Sequence, residues 1–442
     1  RRDGMGKKAQ VSKFIDKIGE VSRELPDTRA GHHNQQYEMA DAVRGAFAVF
    51  FTQSASFLAY QRDVARRQSK NNAVSIFQMQ RIPSDNHIRN LLDTVPADHF
   101  AAVYKWLWSG LERAGKLKAY EVLGRHMLVG IDGIQYFSST KIHCDQCSQS
   151  QVEETTLYSH RALTALVVHP EQQQVLPLMP EFIMPQDGAE KQDSEIAAAR
   201  RWLAREKTWL QEHRAILLGD DLFSHQPFCQ LVADAELGFI LVCKPASHEL
   251  LYQWVEGMER GGKLTEVRQR QWNGRHGEIW RYRYAAEVPL RAGDDGMRVN
   301  WCELTIIHET EGTILYRNSF VTTLAVDETS VKAITHAGRA RWKHENEGHN
   351  VLTTRGYHIK HNFGHGQTHL AMVLFTLNLL AFFLHTYLLL LDTRYKKVRE
   401  ELVARRTFFQ DIRALMRYQL FESWEALLYF MAVGLELEPP PD

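Results

Sequence analysis

"HMLVGIDGIQYF", residues 126–137, marks the place where the pattern of the chain changes. Upstream, apolar residues recur at helical spacing. Here they form a short continuous run that meets an acid, as a buried strand does. "RALTALVVHP" (161–170) and "QQVLPLMPEFI" (173–183) are two more strand candidates, with turn residues around them. "DSEIAAARRWLAREKTWLQEH" (193–213) then places Ile196, Ala199, Leu203 and Leu210 on one face of a helix. "AILLGD" (215–220) predicts a strand, "HQPFCQLVADAEL" (225–237) a helix and "GFILVCK" (238–244) another strand.

Three strands, helix, strand, helix, strand is the chain order of an RNase H-like domain, a mixed sheet flanked by helices. The expected class is therefore α/β: an RNase H-like catalytic domain in two parts, 121–245 and 326–392, interrupted by a β-rich insertion at 246–325. Within the insertion, "EIWRYRYAAEVPL", "VNWCELTIIHE" and "GTILYRNSFVTTL" alternate apolar and polar residues and are rich in aromatic and β-branched types. Residues 1–120 predict a helical N-terminal DNA-binding domain. It carries the basic cluster Arg62, Arg66, Arg67 and Lys70, and Ser84 is placed to cap a helix. Residues 393–442 predict a helical C-terminal region that includes the basic "RYKKVREELVARR".

"LAMVLFTLNLLAFFLHTYLLLL", Leu370 to Leu391, is long enough to cross a bilayer. It contains Asn378 and His385 and stands alone, so a buried core helix is expected rather than a membrane anchor. The N-terminal "RRDGMGKKAQVSKF" lacks the apolar core of a signal peptide. Five cysteines in 442 residues argue against a disulfide framework and for a reducing, cytoplasmic compartment. An apolar share of 44% and a charged share of 24% exclude a disordered chain. With 53 basic and 53 acidic residues, the whole-molecule charge gives no sign of nucleic acid, so any DNA surface has to be a local basic patch.

Three carboxylates fall where such a sheet would gather them. Asp132 ends the first strand, Asp220 ends the fourth, and Glu345 lies in "GRARWKHENEGHN" (338–350), a charged stretch read as helix. Acids on rigid elements can hold two divalent ions roughly 3.5–4 Å apart, as two-metal phosphoryl transfer requires. Carboxylates with retained water suit Mg2+.

"VTTLAVDETSVKAITHAGRARWKHENEGHN" resembles the segment that carries the third acid in bacterial insertion-sequence transposases of the DDE class. The resemblance is to the subgroup with a tyrosine–arginine–glutamate–lysine signature, and it covers roughly residues 120–390. Arg341, Trp342 and Glu345 match its R-W-x-x-E spacing, and "LVGIDG" and "LLGDDLFSHQPF" look like the segments around the other two acids. The signature's tyrosine has no counterpart before Arg341, and Leu352 replaces its lysine, for which Arg355 or Lys360 could serve. Asp220 and Asp221 are adjacent; Asp220, at the strand end, is the favoured second acid.

The resemblance implies a Mg2+-dependent endonuclease and strand transferase, with Mn2+ as a substitute, acting in DNA recombination and transposition. Its partners would be double-stranded DNA, both terminal inverted repeats and target, and a second copy of the chain on paired ends. The β insertion implies cut-and-paste movement. Arg341, Trp342, Arg355, Lys360, His358 and His361 are the candidate DNA contacts. A nuclease on the same fold, or a catalytically silent DNA-binding protein, are the competing expectations.

A separate constellation, "HCDQC", offers His143, Cys144 and Cys147, with His160 following. A C-x2-C pair plus histidine suits structural Zn2+. The fourth ligand is open between His143, Cys229 and a partner chain, and free thiols in a loop are the alternative. "GYHIKHNFGHGQTH" places His358, His361, His365 and His369 near Lys360, read as phosphate contacts or helix capping before a metal cluster. Trp272, Trp280 and Trp301 are expected to pack the β core, with base stacking the alternative.

Overall fold

The computed structural model describes residues 10–29, 36–185 and 193–440. The first nine residues of the N-terminal stretch read above for a leader lie outside them. Helices α1 (Gln10–Arg23), α2 (Met39–Phe51), α3 (Phe57–Val64), α4 (Arg67–Ser75), α5 (Asp85–Leu92) and α6 (Ala101–Arg113) come first. Ser84 caps α5 as expected, its hydroxyl accepting from the His87 N–H. The sheet region follows with β1 (Glu121–Val122), β2 (His126–Ser139), β3 (Ser148–Val152), β4 (Thr155–Val168), β5 (Leu176–Pro177) and β6 (Glu181–Ile183). Helix α7 (Glu195–Glu212), β7 (Ile216–Gly219), α8 (Gln226–Asp234) and β8 (Gly238–Val242) complete the predicted alternation.

Strand β2 runs antiparallel to β4 and parallel to β7, and β7 runs parallel to β8. The outer edge of β4 takes β3, β5 and β6. Next in the chain are α9 (Glu249–Arg260), β9 (Thr265–Trp272), β10 (Gly277–Pro289), β11 (Arg298–His308) and β12 (Ile314–Thr322). These strands extend the same sheet: Phe320–Thr322 of β12 pair antiparallel with Ile240–Val242 of β8, and β11, β10 and β9 follow as a meander. Strand β9 and helix α9 were not anticipated within the β-rich segment. "TEVRQRQW" alternates but buries no side chain fully, because it is an edge strand with no layer above it.

Helices α10 (Val331–Arg339) and α11 (Asn350–Thr354), joined through a π-helical segment at His344–His349, lead into α12 (Leu370–Leu391). Helix α12 is apolar on all sides, which requires burial on all sides. It lies inside the fold, packed against α2, α5, α6 and β5. Its two polar interruptions, Asn378 and His385, find partners inside the fold, although the Asn378 side-chain oxygen is buried without one among the described residues. Asn378 Nδ2 donates to the Tyr357 carbonyl at 2.8 Å. His385 bridges the Tyr357 hydroxyl at 2.8 Å and the Phe51 carbonyl at 3.0 Å. The chain ends in α13 (Thr393–Glu401), α14 (Arg405–Tyr418) and α15 (Trp424–Gly434). The terminal regions interlock: Arg413 donates to the Thr52 and Gln53 carbonyls, and Asn72 to those of Met416 and Gln419. The result is a mixed α/β molecule with helical N- and C-terminal regions packed together on one sheet.

Candidate active site and a cysteine–histidine cluster

The last residues that pair β2 with β7 are Gly130 and Leu218. Two residues further stand Asp132 and Asp220, so the register sets the two acids side by side where β2 and β7 part. Asp220 directly follows β7, but Asp132 does not end its strand as expected, because pairing with β4 carries β2 on to Ser139. Asp132 is partly buried, and Arg341 Nη1 lies 3.8 Å from its Oδ2. Burial pushes the Asp132 carboxyl up to about 6; Arg341 opposes that rise, and Asp220 and Glu195 add to it. Glu195, in the first turn of α7, rests its carboxyl group over Gly133, where a Cβ would collide with it. Its own proton affinity is raised by burial and by Asp220, against Arg161 Nη1 at 3.9 Å. Carboxylates that raise one another's proton affinity make a place where added positive charge is favoured.

Asp220 and Asp221 divide their roles. Asp221 is committed to the loop after β8: Oδ1 accepts from the Lys244 N–H at 2.6 Å and Oδ2 from the Ser247 hydroxyl at 2.5 Å. Among the described residues the Asp220 carboxylate accepts only the local Leu222 N–H, at 3.0 Å, and it acts electrostatically on Asp132 and Glu195.

The stretch with Glu345 is held on the same part of the sheet by its histidines. The His344 ring is fully buried in the space left by Gly130, with Nδ1 3.0 Å from where a Cβ would stand. His344 Nε2 and His349 Nε2 lie 2.8 and 2.7 Å from Thr164 Oγ1. That hydroxyl donates to the Asp132 carbonyl at 3.1 Å. With its one proton so used, both imidazoles donate Nε2–H to it. Burial keeps both rings neutral, His344 far below the usual imidazole range and His349 lowered to about 4. The π-helical turn, an insertion often found at functional sites, leaves Glu345 exposed. Among the described residues its carboxylate has no hydrogen-bond or ion-pair partner. Nor do Asp132, Asp220 and Glu345 close to the mutual 4.8 Å spacing that the cysteine–histidine cluster reaches.

Of the candidate DNA contacts, Trp342 is exposed, with the Lys343 ammonium 5.6 Å from its ring centre. Arg339, Arg341 and Trp342 line a groove of about 270 Å3 with Tyr316 and Asn318. Arg355, His358, Lys360 and His361 are exposed along the segment after α11. Leu352 is fully buried, so its position could not present a cation. Trp280 and Trp301 are buried as expected, whereas Trp272 is exposed.

A second cluster joins Cys144, Cys147, His160 and His365, with one ligand atom from each lying within 4.8 Å of the others. It can hold a metal ion such as Zn2+. His143 is not part of it; its ring stacks on Tyr158 at 4.3 Å. Cys229 is buried elsewhere, its thiol 3.8 Å from the Phe223 carbonyl. The fourth place belongs to His365, assigned from sequence to phosphate contact or capping because 218 positions separate it from Cys147. Glu195 was not among the residues expected at the site; its place directly after the Ser194 cap carries no other signal. No family model matches the chain, and no curated protein matches it.

Proposed function

We propose that the chain is a DDE-type DNA transposase with an RNase H-like catalytic sheet. The observation that carries this reading is the juxtaposition of Asp132 and Asp220 just past the point where parallel β2 and β7 stop pairing, with Arg341 against the first. The antiparallel β2–β4 pair beside parallel β2, β7 and β8 supports the finer fold assignment. The anchoring of the Glu345 turn on Gly130 and Thr164 supports Glu345 as the third acid.

The oxygen donors of Asp220, of Asp132 and Glu195, whose proton affinity it raises, and of the exposed Glu345 carboxylate are of the kind that suits Mg2+ or Mn2+. Asp132, Asp220 and Glu345 would hold two such ions, which supply Lewis-acid activation of an attacking oxygen and stabilisation of a leaving one. Arg341 positions Asp132 and is available to a phosphate. The exposed Arg355, His358, Lys360 and His361 would bind the transposon-end backbone, with Trp342 beside them. The proposed reaction is hydrolysis at the element's ends followed by attack of the freed 3′-hydroxyl on target DNA. Cut-and-paste movement by a homodimer on paired inverted repeats, in the bacterial cytoplasm at the nucleoid, completes the proposal.

The discriminating experiment supplies pre-cleaved end DNA, Mg2+ and a plasmid target. Joined end–target products support a transposase. Hydrolysis without joining identifies a nuclease, and neither reaction identifies a silent binding protein.

A further inference from the structure

We propose that Cys144, Cys147, His160 and His365 form a closed structural Zn2+ site that clamps the edge of the sheet to the segment entering α12. Tetrahedral zinc with bonds of about 2.3 Å to sulfur and about 2.0 Å to nitrogen places its sulfurs roughly 3.8 Å apart and each sulfur–nitrogen pair roughly 3.5 Å apart. The Cys144–Cys147 sulfur separation is 3.9 Å. Each sulfur lies 3.5 Å from His160 Nε2, and Cys147 Sγ lies 3.7 Å from His365 Nε2. These are four of the six edges of one tetrahedron, the other two lie within 4.8 Å, and all four residues are buried.

The local structure fits the role. The Cys147 N–H donates to the Cys144 carbonyl at 3.1 Å, a tight turn that brings both sulfurs to one side. His160 lies on β4, stacked on Tyr136, and His365 packs on Phe137 with ring centres 4.4 Å apart. Two thiolates neutralise the ion's charge, which suits a buried site. Four protein ligands leave no open coordination position, so the site is structural rather than catalytic.

Its position gives it a task. His365 ends the segment that carries His358, Lys360 and His361. Immediately beyond it, the Asp93 carboxylate accepts the N–H groups of Gln367, Thr368, His369 and Leu370. The ion would fix the segment against β2 and β4, the strands that position Asp132, and Asp93 fixes it to the end of α5. The clamp does not depend on the transposase reading, since its geometry involves none of the acids.

The test is the metal content of the full chain purified without chelator, then reconstituted with Zn2+ alone and with Co2+ alone. One zinc per chain is expected, and the Co2+ form should show thiolate-to-cobalt charge transfer with tetrahedral ligand-field bands. Cys147→Ser and His365→Ala should fall below a tenth of a zinc per chain, whereas His143→Ala should retain a full one. Wild-type chain that holds no stoichiometric zinc after reconstitution, or an octahedral cobalt spectrum, would overturn the proposal without recourse to any variant. Loss of zinc from His143→Ala would overturn the ligand set.

Discussion

Asp220 raises the proton affinity of Asp132 across the point where two parallel strands separate. The effect follows from register, because each acid comes two residues after the last pair that joins β2 to β7. Removing one charge should therefore relax the other. In Asp220→Asn, the Asp132 carboxyl should titrate below its value of about 6, and in Arg341→Gln above it. Carboxyl-carbon NMR on aspartate-labelled protein reads both shifts. Identical titration in all three proteins would show that the acids do not interact.

The same raised affinity fixes a sign for stability. Asp132 holds its proton more tightly folded than unfolded, so its contribution is fully present below pH 3.8 and is lost as pH rises through about 6. Asp132→Asn should then unfold at a higher temperature than wild type above pH 6, with the difference vanishing below 3.8. Mg2+ should raise the wild-type midpoint and leave that of the variant unchanged. Thermal scans across that range decide the matter.

Thr164 joins the sheet to the Glu345 turn through one oxygen. Thr164→Val would strand the Nε2–H groups of His344 and His349 in a buried place, at about 1–3 kcal/mol for each unsatisfied donor. Denaturant unfolding should show that loss. A change within about 0.5 kcal/mol would mean that water or another group satisfies both rings.

Asp93 is held below the usual carboxylate range because four backbone N–H groups outweigh the burial that would raise it. Its stabilisation is present above pH 3.8 and is lost as pH falls through the lowered folded value. Asp93→Ala should cost about 1–3 kcal/mol near neutrality. The gap between variant and wild type should close in acid, as urea titrations at two pH values would reveal.

The sheet was legible because β2, β4, β7 and β8 are buried strands with continuous apolar runs, and α7 and α8 carry one-sided apolar faces between them. Edge elements such as β9 are polar on both faces and emit no such signal. Helix α12 resembled a membrane span because burial on every side and immersion in lipid select the same composition; its surroundings distinguish the two. Asp220 could be named from a strand end, and Asp132 from the apolar run that precedes it, although its strand runs on to Ser139. Glu195 and His365 could not, because each meets its partners only through tertiary folding: one across the sheet at Gly133, the other over 218 positions. His143 was suggested by proximity in sequence, yet the turn at Cys144–Cys147 directs both sulfurs elsewhere.

The most direct measurement is Mg2+-dependent cleavage of supercoiled DNA bearing the sequences that flank the coding region, with end binding followed by gel shift. Wild type should cut at the element's ends. Asp132→Asn and Asp220→Asn should bind those ends as tightly and cut about a thousandfold more slowly or not at all, on the order of the loss when a group that acts only in the transition state is removed. Cutting at the wild-type rate by either variant would contradict the assignment.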